Sequence, residues 1–269
     1  MIKLLILTLG IHLLILTSVN GKLTILYQFA LPDDLDSLRA KLSESGFETI
    51  QKSTGLISFT RQDTKVVTSR LGSNPYQATY LATASILREE PQLVITAGPC
   101  GALSEDVEIG SALIVTEVVV HDMATLANQG LSQPDKQLTV DLPPDFSNLS
   151  FEGQTVPAVT VASGSAFVAG TDARARIARR TGASVVDMNS FGSLYVFAQF
   201  DLASLNLRVV SDQAGENASE EFQSFVESYD GKLGKIAAGI ILENPLSPSD
   251  LSPYPALKEL IEKKTPEKQ

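Results

Sequence analysis

Four short segments of this 269-residue chain place chemically capable residues where an apolar run stops. Val94–Leu103 (VITAGPCGAL) runs into Gly98-Pro99-Cys100-Gly101, and glycines so placed let the backbone approach a ligand closely. Taken alone, such a Gly-x-x-Gly is more often a plain tight turn. Ser163–Val168 (SGSAFV) offers Phe167 as a stacking surface for a flat heterocycle, against the plainer reading of a core phenylalanine. Ser184–Gly192 (SVVDMNSFG) delivers Asp187, Met188 and Asn189 to the start of a helix. Leu205–Asp212 (LNLRVVSD) ends in Ser211 and Asp212. Ligands of open α/β sheets sit beyond the carboxyl ends of strands, so strands ending at Gly98, Phe167, Met188/Asn189 and Asp212 can converge on one pocket. Helix capping competes for each polar group, because Asp, Asn and Ser are favoured N-caps. Capping is the stronger reading for Ser190. For Asp212, followed by Gln-Ala-Gly and no clear helix, the two readings are even. The dinucleotide fingerprint is incomplete and no helix follows the glycines directly, which disfavours a nicotinamide cofactor.

The elements that must position these residues alternate along the chain. Apolar runs rich in β-branched residues predict strands at Leu23–Phe29, Leu93–Ala97, Ala112–Val120, Val156–Ala162, Ser184–Met188 and Leu205–Val210. Helices are predicted at Asp33–Ser45, with Leu35, Leu38 and Leu42 on one face, and at Gln77–Glu90, Thr171–Thr181, Ser190–Phe200 and Ser219–Glu243. This alternation predicts a single α/β domain with helices on both faces of a largely parallel sheet. Ala112–Val120 is too continuous for an exposed hairpin and predicts a bent central strand. Gln133–Glu152, rich in Pro and Asp, reads as a surface excursion.

Composition narrows the function. With 21 Lys+Arg against 31 Asp+Glu the net charge is −10, the wrong sign for nucleic-acid or anionic-membrane binding. A 43% hydrophobic content argues against disorder. One cysteine excludes an internal disulfide, and with two histidines it makes no ordinary zinc site; neither metal nor redox cofactor is expected. Residues 1–21 carry Lys3, then an apolar run from Leu4 to about Thr17, then small residues at Val19 and Gly21. That run is short for a membrane span and fits a signal peptide cleaved before Lys22. The expectation is a secreted or periplasmic protein with its domain at 22–269, no stable membrane insertion, and His121 as its sole histidine. Asn148-Leu-Ser and Asn217-Ala-Ser fit a glycosylation sequon, relevant only in a eukaryotic host.

The order GPCGAL, VEIG…VVVHD, SGSAFV, VVDMNS and VVSDQA resembles the nucleoside phosphorylase and nucleosidase superfamily, nearest its methylthioadenosine/S-adenosylhomocysteine nucleosidase branch. The resemblance runs from KLTILYQFALPDDLDSLRAKL to SEEFQSFVESYDGKLGKIAAGIILE. It implies a three-layer αβα fold around a mixed, partly barrel-like sheet, and hydrolysis of the N-glycosidic bond of a purine nucleoside. It also implies that Asp212 protonates the leaving base, that Met188 and Asn189 line the ribose, and that Phe167 and Val168 pack on the base. Gly98 and Ser211, at the ends of their strands, join the expected substrate-binding set, and the resemblance implies a homodimer or higher homo-oligomer. The position of His121-Asp122 reads as structural or as part of a subunit edge.

Departures from the family pattern cluster near the sugar. Asn189 stands where the family carries a ribose-binding glutamate, and Pro99 where it carries a hydroxyl residue. Losing a charge-assisted hydrogen bond costs about 1.5–3 kcal/mol, so a sugar contact through Asn189 would survive weakened. Thr96 matches the arginine of phosphorolytic members, which favours hydrolysis unless Arg70 or Arg174 reaches the pocket. The nearest match through LDSLRAKL to the water-activating glutamate of the hydrolases is Asp34, and the longer loop ALPDD leaves Asp33, Asp34 or neither of them for that role. A non-catalytic nucleoside-binding or storage relative, like the plant bark storage proteins that resemble this family, is the alternative these departures leave open.

Overall fold

The computed structural model describes residues 23–51, 56–122, 126–127, 130–131, 137–140 and 149–243. The segment read as a signal peptide and the Asn148 sequon lie outside the described residues.

In chain order the elements are β1 (Leu23–Phe29), α1 (Pro32–Glu44), β2 (Glu48–Gln51), β3 (Ile57–Arg61), β4 (Thr64–Arg70), α2 (Pro75–Glu89), β5 (Leu93–Ala102) and β6 (Ala112–Val120). Five short strands follow, β7 (Leu126–Ala127), β8 (Gly130–Leu131), β9 (Gln137–Thr139), β10 (Ser150–Phe151) and β11 (Gln154–Thr155). Then come β12 (Ala158–Ser163), α3 (Thr171–Thr181), β13 (Val185–Asp187), α4 (Ser190–Gln199), β14 (Ala203–Asp212), α5 (Ala218–Ser228) and α6 (Lys232–Glu243).

Period-two alternation decides which way each buried strand residue packs. Ile25 and Tyr27 of β1, Leu93 and Ile95 of β5, and Leu205 and Leu207 of β14 join Leu38, Leu42, Leu233 and Ile236 of α1 and α6 in one apolar layer. Leu26, Val94 and Val210 on the same strands join Ala82, Ile86, Leu194 and Phe197 of α2 and α4 in the layer across the sheet. Both faces of the central strands are therefore covered, which is why they read as continuous apolar runs. The result is the three-layer αβα arrangement.

The sheet runs β13-β12-β6-β14-β5-β1-β4-β3-β2, with β9 paired to β6. It is mixed rather than largely parallel: β1 lies parallel to β4 and β5, and β14 parallel to β5, whereas β14 is antiparallel to β6 and β13 to β5. Because β13 pairs with both β12 and β5, strands β5, β14, β6, β12 and β13 close on one another, the barrel-like part of the sheet. Strand β6 pairs with β14 through Ala112–Ile114 and with β9 and β12 farther along. The edge strand β2 and its inward neighbours β3 and β4 were absent from the sequence expectation. Their polar, short alternation (ETIQ, ISFTR, TKVVTSR) carries little apolar signal.

The helix expected over Ser219–Glu243 divides into α5 and α6. Tyr229 is extended (φ −71°, ψ 131°) and Gly231 is left-handed at φ 73°. A Cβ on Gly231 or Gly234 would collide with the backbone of Asp33 or Asp34, so these glycines bring α6 against α1.

Candidate active site

A cavity of about 810 Å³ opens over the carboxyl ends of the central strands, within the size range of small-molecule sites. Its base is built from Pro99, Cys100 and Gly101 of β5 beside Ser211 and Asp212 of β14. Val186, Met188 and Asn189 close one side, and Phe167, Val168 and Phe222 another. Of the expected site residues, the structure thus gathers Asp212, Ser211, Met188, Asn189, Phe167 and Val168.

Gly98 is a correction. The glycine-rich segment is not a turn but the end of β5, still paired to β14. Gly98 does not line the cavity; a Cβ there would lie 3.1 Å from Leu71 Cδ2 and 3.4 Å from Ala30 Cβ, so its lack of a side chain serves packing. Gly101 is the glycine the site requires: a Cβ on it would lie 2.7 Å from Asp212 Oδ1.

Asp212 is 2% exposed. Its Oδ1 accepts from Ala214 N at 2.9 Å and its Oδ2 from Ser211 Oγ at 2.8 Å. Ser211 Oγ also lies 3.1 Å from Cys100 O, and one hydroxyl proton cannot serve both acceptors. Burial pushes the Asp212 carboxyl above the ordinary range, with the two hydrogen bonds opposing and the charge of Glu221 assisting. Asp212 does not cap a helix: α5 begins at Ala218. A carboxyl held toward its protonated form against an apolar wall is a proton donor in waiting.

Phe167 is 44% exposed and meets Phe222 of α5 edge-on, with ring centroids 6.0 Å apart and planes at 70°. The two rings frame a slot in which a flat base can stack.

Beneath Met188 and Asn189 sits a network the sequence reading missed. Arg208, fully buried on β14, donates from Nε to Asp187 Oδ2 (2.8 Å). Its Nη2 donates to Asn189 Oδ1 (3.0 Å) and Ser190 Oγ (2.7 Å), and its Nη1 to Thr96 Oγ1 (3.2 Å) and Leu207 O (2.8 Å). All five guanidinium protons have partners. The signal was a lone arginine inside the apolar run LNLRVV, since a buried charge must be paired. Asp187 also accepts the amides of Asn189 (3.4 Å) and Ser190 (3.2 Å). Asp187, rather than Ser190, therefore holds the start of α4. Asn189 spends both ends of its amide, accepting from Arg208 and donating from Nδ2 to Gly72 O (3.1 Å). Its amide is thus oriented by the protein's own contacts.

Asp34 is the second correction. It is buried in the first turn of α1 and faces α6, outside the cavity. Its Oδ1 accepts from Tyr229 Oη (2.6 Å) and Gly234 N (3.1 Å), while Oδ2 has no partner. Burial pushes its pKa up to about 6, against the lowering by Tyr229 and Gly234. In this position its carboxyl holds α1 to α6 and does not line the cavity. Arg174 is likewise directed elsewhere, to Leu103 O at 3.2 Å, whereas Arg70 lines the cavity. His121 is buried, and a Cβ on Gly164 would collide with its ring. Among the described residues there is no metal-ligating cluster, and no helix is long and apolar enough to cross a membrane.

Comparison with known proteins points one way. A family model described as the phosphorylase superfamily matches residues 24–242. The 5'-methylthioadenosine/S-adenosylhomocysteine nucleosidase of Staphylococcus haemolyticus is 27% identical over 188 residues, 66% of this chain and 79% of that protein. Its counterpart in Staphylococcus aureus (strain MRSA252) is 26% identical over 209 residues, 74% of this chain and 90% of that protein. Among solved structures, a Helicobacter pylori 5'-methylthioadenosine/S-adenosyl homocysteine nucleosidase superposes with a TM-score of 0.70 at 22% identity, covering 83% of this chain and 99% of its own. Futalosine hydrolase of the same organism gives 0.69 at 21%, covering 82% and 98%.

Proposed function

The chain belongs to the phosphorylase superfamily, and from that premise we propose that it hydrolyses the N-glycosidic bond of a purine nucleoside, with Asp212 protonating the leaving base. Asp212 carries this reading: a buried carboxyl with a raised pKa stands at the end of an apolar cavity, beside an aromatic slot of base-like shape. The named activity of the relatives in Staphylococcus supports it. Breaking the bond builds positive charge on the sugar and negative charge on the base, so a proton delivered to the base removes the charge that resists departure. A positioned acid of this kind contributes about 100- to 10,000-fold.

The other carboxylate of the cavity, Asp187, is held in an ion pair by Arg208, and Asp34 lies elsewhere. No further acid lines the cavity among the described residues to activate water. Acceleration therefore rests on departure of the base, with water capturing the sugar cation afterwards. Asn189 reaches the ribose already oriented by Arg208 and Gly72.

The placement of Asp34 favours a second reading, a relative that binds a nucleoside without cleaving it. One assay separates the two. Base release from methylthioadenosine, adenosine, inosine and guanosine is followed by the purified protein, with and without phosphate. Release that needs no phosphate and disappears in Asp212→Asn is the expected result. No release from folded protein that still binds these nucleosides would leave the binding reading standing.

Two further parts belong to the same proposal. Export with cleavage before Lys22 is supported by the apolar run of residues 4–17 and is checked by the N-terminal sequence of the secreted protein. Self-association is supported by Tyr76 and Tyr80, one turn apart on α2 and 80% and 70% exposed, and is checked by sedimentation.

A further inference from the structure

Arg70 ends β4 at the rim of the cavity, and it is the basic side chain among the described residues that line it. Its guanidinium lies over the Phe29 ring, 4.9 Å from the centroid, and Nη1 donates to Ala30 O at 3.2 Å. Those two contacts hold the side chain against the end of β1 and leave most of its donors unspent. No carboxylate pairs with it among the described residues. Gln77, also on the cavity wall, has its Oε1 fixed by Ser73 N (3.1 Å) and Ser73 Oγ (3.0 Å), which leaves its Nε2 as a free donor nearby.

The register of the sheet fixes where this donor pair stands. Asp212 ends β14, and β5, then β1, then β4 follow in order. Three strand spacings put Arg70 roughly 14 Å across the sheet from Asp212, and the register sets it level with Ala97 rather than Gly101, a further ~13 Å along the strands, so the space between them takes a purine, its ribose and a 5′ substituent. The segment after Arg70 is tied to the sugar side by the bond from Asn189 Nδ2 to Gly72 O. The acids of the cavity do not compete for the cation: Asp187 is paired with Arg208, and Asp212 is at the opposite end.

We propose that Arg70, assisted by Gln77, binds an anionic group, a carboxylate or a phosphate, at the end of the cavity remote from Asp212. This deepens the nucleosidase reading and rests on it: with the base at Asp212, the anion is carried on the 5′ side of the sugar. Free phosphate is the other source of the same chemistry. There its oxygen would bond to C1′ as the C1′–N9 bond breaks, and the base would leave with the proton of Asp212.

The test compares 5′-carboxymethylthioadenosine with the neutral, similarly sized 5′-propylthioadenosine at constant ionic strength. The kcat/KM ratio of the pair is measured in the protein and in Arg70→Gln. The expected ratio favours the anionic nucleoside about tenfold, as one partly exposed charge-assisted contact would, and falls to about one in Arg70→Gln. The same ratio in both proteins, with no Arg70-dependent effect of phosphate, overturns the proposal. If neither nucleoside is cleaved, the nucleosidase reading has failed and calorimetric dissociation constants of the same pair carry the test, with the same ratios expected and the same overturning result. Inorganic phosphate is added in a third arm. If it accelerates release from the neutral nucleoside in the protein but not in Arg70→Gln, and the carboxylate confers no preference, the anion site stands and the 5′-linked source is overturned.

Discussion

Replacing Asp34 by asparagine separates a structural carboxylate from a catalytic one. The carboxyl is buried between α1 and α6, and its pKa stands at about 6 against an ordinary 3.8. The folded protein therefore binds a proton there that the unfolded chain has already released, and protonation favours the fold. Stability from this group is fully present below pH 3.8 and is lost as the pH rises through about 6, a total of about 3 kcal/mol. Of this, about 2 kcal/mol falls between roughly pH 4.5 and 7.5, a range in which unfolding remains measurable. Asparagine does not titrate. It keeps an acceptor for Tyr229 and Gly234 but places an NH2 where Oδ2 has no partner, a constant cost of about 1–3 kcal/mol. Urea unfolding of both proteins across this range isolates Asp34, because every other group is common to the two. The variant should gain about 2 kcal/mol relative to the parent from the acidic to the neutral end. Its base release per folded molecule should stay within about threefold, since a reacting acid or base would be worth at least about a hundredfold. A stability difference that ignores pH would refute the burial argument. Loss of activity with the fold intact would put Asp34 back in the reaction.

Three other outcomes follow from the site. If Asp212 works as an acid, kcat/KM for base release falls as pH rises through its burial-raised pKa, and a profile with no fall anywhere above the ordinary carboxylate range would count against it. Gly101→Ala sets a methyl 2.7 Å from Asp212 Oδ1 and 3.2 Å from Ala214 Cβ. It should lower release at least about a hundredfold while overpacking lowers stability by only about 1–3 kcal/mol, as read by kinetics and urea unfolding. Asp187→Asn leaves Arg208 buried without its counter-charge and should lower stability by about 3–5 kcal/mol, a fall in Tm of about 10 °C by calorimetry.

Much of this architecture was legible because buried strands announce themselves: LTILYQF and ALIVTEVVV are apolar over most of their length, since both faces of the sheet are covered. Where only part of an element is buried the signal thins, and β2 to β4 went unread for that reason. Tyr229-Asp230-Gly231 hid inside a helical rhythm because the apolar spacing resumes at once in α6. At the site, side-chain type and position on a strand end located Asp212, Phe167 and Met188. Direction was another matter. Whether Asp34 faced the cavity or α6 depended on Tyr229, some two hundred residues along the chain, and no local pattern encodes that. Arg208 was visible as an anomaly, but its partners Asp187, Asn189 and Thr96 come from other strands and loops.

The position of β5 has a consequence for how the protein is made. Along most of its length its neighbours are β1, near the start of the chain, and β14, whose last residue is Asp212, with β13 joining only at Gly101 and Ala102. A growing chain can pair β5 with β1 early, but the other edge of β5 stays open until β14 has emerged. Contacts so far apart in sequence close slowly, and an unpaired central strand is a hazard for aggregation while it waits. The cavity shares that timing, because its walls come from both ends of the same span. No partial product of synthesis holds the whole pocket, which is complete only when β14 and, after it, Phe222 of α5 have emerged.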